Sequence, residues 1–310
     1  MGDVHSGQPV HDEPAFPANP AVPDVPPPDG EAARHLPGID LHYRVWGDPS
    51  AGRAVLLAHG LTANHKTWAL LGPHLAEAGF HVIAPDLRGR GLSDKPAQGY
   101  GIPFHAVDLV RLLDALNIRE ADIVGHSLGA LVAMYLGAVY PARVRKLVLV
   151  DAGGKIPEDT AQAIGASVAR LGAIYPSLDA YLGMMRQLPM LTEWTTLWEE
   201  YFRYDAQVRE DGTVVSRVPR TAIEEETLAM ALTRTEMLPE LVRKPTLLVR
   251  ATVGLLGPDR GFILPRAEAE RVRDLIAGCH LVEIEGTNHY TVVTVPEFAR
   301  AVGGFLTAGA

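Results

Sequence analysis

The sequence lacks the cysteine content, the metal-binding motif and the basic charge that would indicate a disulfide framework, a metal centre or a nucleic-acid surface. Cys279 is the only cysteine among 310 residues, so an intrachain disulfide is excluded. Acidic residues outnumber basic ones, 37 against 28, and the net charge of −9 argues against nucleic acid or an anionic membrane as a partner. No apolar run reaches the length that spans a bilayer. Neither a Walker sequence nor an H-E-x-x-H motif occurs, and we predict no cofactor and no metal.

The first 30 residues are rich in proline and poor in large apolar side chains. Eight prolines fall between Pro9 and Pro28, which predicts a disordered, proline-rich leader over residues 1–30. The stretch has neither the basic start nor the apolar centre of a signal peptide. We therefore expect a cytoplasmic location.

The rest of the chain alternates short apolar runs with segments of helical spacing. An amphipathic helix is predicted around residues 109–116, and another before Gly278. This alternation predicts an α/β protein with a doubly wound, mostly parallel sheet and a ligand site at the carboxyl ends of its strands. The segments predicted as strands are residues 40–46, 54–59, 81–86, 121–127, 146–151, 246–250 and 280–285.

Residues 121–129 form an apolar run that leads directly into Gly-His-Ser-Leu-Gly and then into an apolar helical segment. This is the strand, turn and helix context of a G-x-S-x-G nucleophile elbow, in which Ser127 occupies a strained turn between Gly125 and Gly129. Because the chain has 30 glycines, the motif alone has little weight. Further motifs follow other predicted strands, namely His59-Gly60, the run Asp-Leu-Arg-Gly-Arg-Gly-Leu-Ser over residues 86–93, and Asn288-His289.

In this order and at these spacings, the four motifs resemble the α/β-hydrolase superfamily, and in particular serine esterases and lactonases that carry a helical cap. The resemblance extends from about residue 35 to the end of the sequence. It implies a hydrolase core formed by residues 31–152 and 244–310. Residues 153–243, here called the cap segment, would be inserted between two strands of the sheet. Within the cap segment we predict helices over residues 158–171, 178–187, 193–204 and 221–232, with a turn at 210–213.

The resemblance assigns a chemical role to each of a few residues. Ser127 would be the nucleophile, and His289, which follows the last predicted strand, would be its general base. A histidine with an unperturbed pKa near 6.5 suits this role around neutral pH. The backbone N–H groups of Leu61 and Leu128 would stabilise the oxyanion that develops during attack on a carbonyl.

The acid that orients the histidine has two candidates. Most family members place an aspartate just beyond the penultimate strand, but no acid follows residues 246–250 until Asp259. Asp151 ends residues 146–151, a position that some relatives use instead. We favour Asp151 and keep Asp259 as the alternative.

The cap segment holds a large share of the methionine and aromatic residues, which predicts an apolar, adaptable pocket. The residues expected to contact substrate are Trp68, Met184, Trp194 and Trp198. We therefore predict a serine hydrolase that cleaves an ester or lactone of a bulky, largely apolar small molecule. The alternatives are a C–C bond hydrolase acting on a diketone with the same triad, a cofactor-free oxygenase, and a ligand-binding receptor on the same fold.

Overall fold

The protein was analysed as a computed structural model, which describes residues 29–168, 170–191 and 193–308. The leader predicted for residues 1–30 lies outside these residues as far as position 28. The described strands are β1 (Glu31–Leu36), β2 (Ile39–Trp46), β3 (Ala54–Ala58), β4 (His81–Pro85), β5 (Ala121–His126), β6 (Val144–Val150), β7 (Ala206–Val208), β8 (Val214–Ser216), β9 (Thr246–Ala251) and β10 (Cys279–Ile284). The α-helices are α1 (Leu71–Glu77), α2 (Ile102–Ala115), α3 (Leu128–Val139), α4 (Glu158–Val168), α5 (Leu178–Met185), α6 (Thr196–Asp205), α7 (Arg220–Leu232), α8 (Leu238–Leu241), α9 (Arg266–Leu275) and α10 (Pro296–Thr307).

Eight of these strands form one sheet in the order β1-β2-β4-β3-β5-β6-β9-β10. The pairs β1–β2 and β2–β4 are antiparallel, and all the other neighbours are parallel. The predicted fold class, a doubly wound and mostly parallel α/β sheet, is therefore confirmed. All seven predicted strands occur, with ends that differ by at most two residues.

Successive residues of the central strands pack on opposite sides of the sheet. In β3, Leu56 belongs to a core cluster with α2, α3 and α9, whereas Val55 and Leu57 belong to a second cluster with α1 and α10. All five residues of β3 are buried because helices cover both faces. This burial explains why these strands appear in the sequence as unbroken apolar runs.

The sequence analysis missed β1, the antiparallel strand at one edge of the sheet. Only Leu36, its last residue, is buried, so its polar sequence lacks the apolar pattern used to find the other strands. Asp29 and Gly30, which precede β1, already contact the fold: the N–H of Val45 donates to the Gly30 carbonyl oxygen at 2.8 Å.

The cap segment forms α4 to α8 and the small β7–β8 hairpin, none of which joins the eight-stranded sheet. Helices α4 to α7 lie within about three residues of the predicted bounds, whereas α8 was not predicted. Gly212, at φ +80°, occupies the predicted turn between β7 and β8. Tyr181, Trp198 and Phe202 form the centre of a separate apolar cluster within the cap segment. Among the described residues, no helix is long and apolar enough to cross a bilayer.

Candidate active site

Ser127 occupies the sharp turn between β5 and α3. Its backbone lies at φ 57° and ψ −119°, a conformation that costs energy for a residue with a side chain. The turn is packed so closely that a Cβ on Gly125 would lie 2.0 Å from the Gly129 carbonyl oxygen. A Cβ on Gly129 would lie 2.0 Å from the carbonyl oxygen of Ala58. This is the geometry of the predicted nucleophile elbow.

Asp151 and His289 form a buried pair beside this turn. The Nδ1–H of His289 donates to Oδ2 of Asp151 at 2.8 Å, and the two residues are 7% and 2% exposed. The other carboxylate oxygen of Asp151 accepts the N–H of Ala251 at 3.0 Å. Asp151 therefore fixes both the orientation and the tautomer of His289, because a ring that donates from Nδ1 leaves Nε2 free to accept a proton.

Asp259, the alternative acid, lies elsewhere. The loop that contains it folds back on itself: the N–H of Leu255 donates to the Gly261 carbonyl oxygen at 3.0 Å. This arrangement leaves Asp259 exposed. Of the two candidates, only Asp151 contacts His289 within the described structure.

His126, the neighbour of Ser127, holds the loop that carries His289. Its Nε2–H donates to the His289 carbonyl oxygen at 2.8 Å, and the two rings lie 4.6 Å apart. Burial and the neighbouring His289 hold the pKa of His126 well below its ordinary value, so its ring stays neutral. In this geometry His126 holds the loop of His289 in place by a hydrogen bond.

The loop after β3 is ordered by His59 beneath it. The Nδ1–H of His59 donates to the Gly60 carbonyl oxygen at 2.9 Å, while its Nε2 accepts the N–H of Leu87. Burial lowers the pKa of His59 to about 3, so the ring stays neutral at physiological pH. In a trans peptide the C=O and N–H groups point in opposite directions, so the N–H of Leu61 points away from His59.

A cavity of about 830 Å³ lies over these residues. Ser127, His289, Leu61 and Leu128 all line it, so the structure brings together the predicted nucleophile, base and oxyanion donors. Among the described residues, neither the Leu61 nor the Leu128 N–H donates to a backbone carbonyl oxygen in the turns, loops and helix caps. The remaining wall is largely apolar and includes Leu131, Ile156, Ile164, Val168, Leu197, Trp198, Met230 and Ile263.

Three of the four residues predicted to contact substrate do not line this cavity. Trp68 is fully buried in the core cluster with α1 and α10. Met184 is 50% exposed to solvent. Trp194 stacks on Phe202 at 5.6 Å and donates its Nε1–H to Glu199. Only Trp198 lines the cavity.

Leu131 and Tyr290 are cavity residues that the sequence analysis missed. Leu131 lies one helical turn after Ser127 in α3, so its side chain is on the same face of the helix as the nucleophile. Tyr290 directly follows His289 in the same loop. In both cases the sequence distance from a candidate catalytic residue would have been a better signal than aromatic content.

His42, His65 and Asp86 are close enough together to be considered as metal ligands. However, the Asp86 carboxylate already has donors on both oxygens: Oδ1 accepts from the backbone N–H and the Nδ1 of His65, and Oδ2 accepts from the N–H of Leu92 and the hydroxyl of Tyr204. Burial favours its neutral form, but the hydrogen bonds from His42 and His65 hold the pKa of Asp86 well below its ordinary value. The cluster is therefore a hydrogen-bonded network that anchors the turn after β4.

A family model described as the alpha/beta hydrolase fold matches residues 53–249, which is more than half of the chain. The chain belongs to this family. This alpha/beta hydrolase is 36% identical over 128 residues to a 3-hydroxybutyrate-oligomer hydrolase from Cupriavidus necator, a match covering 41% of the chain and 43% of the relative. It is 29% identical over 281 residues to 2-(acetamidomethylene)succinate hydrolase from Mesorhizobium japonicum, covering 87% and 92%.

The comparison of structures supports the same family. A crystal structure of E-2-(acetamidomethylene)succinate hydrolase matches with a TM-score of 0.77 at 26% identity, covering 90% of this chain and all of that one. The matches to the first curated relatives span 38% to 52% of those proteins' own length. The fold and the family therefore follow from the comparisons, and the residues of the site carry the information about the reaction.

Proposed function

We propose that this protein is a serine hydrolase that cleaves a carboxylic ester or lactone through an acyl-enzyme on Ser127. The observation that carries the proposal is the shared cavity. Ser127 at its strained turn and His289, held by Asp151, line one largely apolar space together with the two backbone donors. A nucleophile, an oriented base and oxyanion donors around one space are the parts that acyl transfer requires.

In the proposed mechanism, Nε2 of His289 removes the hydroxyl proton of Ser127 as the serine oxygen attacks the substrate carbonyl. Asp151 stabilises the imidazolium that forms, through the 2.8 Å hydrogen bond to Nδ1. The N–H groups of Leu61 and Leu128 stabilise the negative oxygen of the tetrahedral intermediate. His289 then protonates the leaving alcohol, and a water molecule activated by the same histidine releases the acid.

The cavity favours an apolar substrate of moderate size. Its volume lies within the range of about 300 to 1,000 Å³ that is usual for small-molecule sites. Among the described residues that line it, Lys155 and Glu236 are the only lysine, arginine or carboxylate side chains, and both are exposed. A dicarboxylate such as a succinate would need more cationic partners than Lys155 alone. The similarity to an enzyme named for 3-hydroxybutyrate oligomers supports ester cleavage.

The test is turnover of p-nitrophenyl esters, from acetate to decanoate, by the wild type and by Ser127→Ala. We expect turnover that increases with chain length until the cavity is filled, and loss of at least about 10³-fold in kcat for Ser127→Ala. A fluorophosphonate should label the wild type at Ser127, which peptide mapping would locate. A folded wild type that turns over no ester and is not labelled would refute the proposal. Turnover of a diketone in that case would favour the C–C hydrolase alternative.

A further inference from the structure

Arg90 is a fully buried arginine beneath the loop that carries Leu61. Its Nε–H donates to the Leu61 carbonyl oxygen at 2.9 Å, and a terminal N–H donates to the Arg88 carbonyl oxygen at 2.7 Å. The peptide groups on both sides of Leu61 are therefore held by hydrogen bonds from side chains beneath the loop. His59 fixes the Gly60 carbonyl group, and Arg90 fixes that of Leu61.

The counter-charge of Arg90 comes from the cap segment. Glu226 of α7 lies 3.1 Å from the Arg90 guanidinium and is itself fully buried. The same carboxylate oxygen accepts the Nε2–H of His105 from α2 at 2.6 Å. Burial lowers the pKa of His105, so its ring is neutral at physiological pH and donates this hydrogen bond. Arg90 and Glu226 thus form a buried ion pair across the boundary between the cap segment and the core.

A buried arginine keeps its place only while its charge is balanced, because an unpaired charge in a protein interior is strongly unfavourable. If the carboxylate of Glu226 were removed, the guanidinium would gain by moving toward water. That movement would break its hydrogen bond to the Leu61 carbonyl group. The N–H of Leu61 would then lose one of the two restraints on its direction.

We propose that Glu226 is a positioning residue which, through Arg90, holds the Leu61 amide in the direction that stabilises the oxyanion. The residue touches neither the substrate nor the reacting atoms. It makes catalysis depend on the docking of α7 against the core. This inference rests on the function proposed above.

Glu225, the preceding residue, supplies a matched control. Its carboxylate accepts the backbone N–H groups of Gly99 and Tyr100 at 2.8 and 3.1 Å, so it also joins α7 to the core. It has no contact with the loop of Leu61 among the described residues. Glu225→Gln should therefore weaken the docking of α7 without changing the direction of the Leu61 amide.

The experiment compares kcat, KM and the rate of fluorophosphonate labelling for the wild type, Glu226→Gln and Glu225→Gln, together with affinity for a trifluoromethyl ketone. We expect Glu226→Gln to lower kcat, the labelling rate and the ketone affinity by about 10- to 100-fold, with KM within about threefold. All four quantities should stay within about threefold of wild type in Glu225→Gln.

A second variant covers the case in which Glu226→Gln does not fold. The double substitution Arg90→Met with Glu226→Gln removes both charges, and the amide oxygen at position 226 can still accept the Nε2–H of His105, so no buried charge is left unpaired. It should fold and show the same fall in kcat, because the donor to Leu61 is also gone. A folded double variant with wild-type kcat and labelling rate would overturn the inference. A wild type that is not labelled at all would overturn the proposed function as well, so the two failures are distinguishable.

Discussion

Replacement of Asp151 by asparagine tests the proposed catalytic group most directly. In the structure one carboxylate oxygen accepts the N–H of Ala251 and the other accepts Nδ1–H of His289. If the amide keeps its oxygen toward Ala251, its NH₂ group faces His289. The imidazole must then carry its proton on Nε2, and a protonated Nε2 cannot accept the proton of Ser127.

We expect Asp151→Asn to lower kcat by about 10³- to 10⁴-fold, which corresponds to about 4 to 5.5 kcal/mol of transition-state stabilisation. KM should change little, because Asp151 lies behind His289 and not on the cavity wall. The assay is ester hydrolysis at saturating substrate, with thermal unfolding as the check on folding. The matched control is Asp259→Asn, an exposed residue for which activity should stay within about twofold. A folded Asp151→Asn variant that loses less than tenfold, or an inactive Asp259→Asn variant, would refute the reasoning.

Three further predictions concern stability and the pocket. Gly129→Ala should prevent folding or lower the free energy of unfolding by more than about 4 kcal/mol in a urea titration, because its Cβ would lie 2.0 Å from a carbonyl oxygen. Gly304→Ala, whose Cβ would have nothing within 4 Å, should be neutral or stabilising in the same titration. His59 has a folded-state pKa of about 3, below that of the unfolded chain, so the unfolded chain binds a proton that the buried ring does not. The free energy of unfolding should therefore fall by about 2 kcal/mol as the pH is lowered from about 7 to about 5. His59→Asn should remove that part of the pH dependence, and parallel stability curves for variant and wild type would contradict this. Trp198→Ala should raise KM for decanoate about tenfold or more relative to acetate, whereas Trp194→Ala should leave this ratio unchanged.

Much of the core could be predicted because strands that are buried on both faces appear in the sequence as unbroken apolar runs. Val55 and Leu57 pack on one side of the sheet and Leu56 on the other, so all three must be apolar. The turn at Ser127 could also be predicted, because only glycine fits at positions 125 and 129, where a Cβ would meet backbone atoms. Edge strand β1 has only one buried residue, so its sequence shows no apolar pattern.

The pocket wall was harder to predict, because composition gives the number of apolar side chains but not their directions. Trp194 stacks on Phe202 and donates a hydrogen bond to Glu199, so it packs within the cap segment. Trp68 turns into the core beside α1. Sequence distance from Ser127 or His289 is more informative, because the position of the elbow fixes which residues of α3 face the cavity.

The sequence favoured Asp151 but kept Asp259 as an alternative, because both aspartates come after a strand of the same sheet. The pairing of the strands explains why Asp151, and not Asp259, contacts His289. The strand β6 lies between β5 and β9, so the backbone around Asp151 is held on both sides: the Ser127 N–H donates to the Val150 carbonyl oxygen at 3.0 Å, and the Asp151 N–H donates to the Val249 carbonyl oxygen at 2.7 Å. The loop after β9 is closed by its own hydrogen bonds and holds Asp259 in solvent. Strand order thus places the proposed acid beside the proposed nucleophile. The acid could be identified from the sequence only if the order of the strands in the sheet were already known.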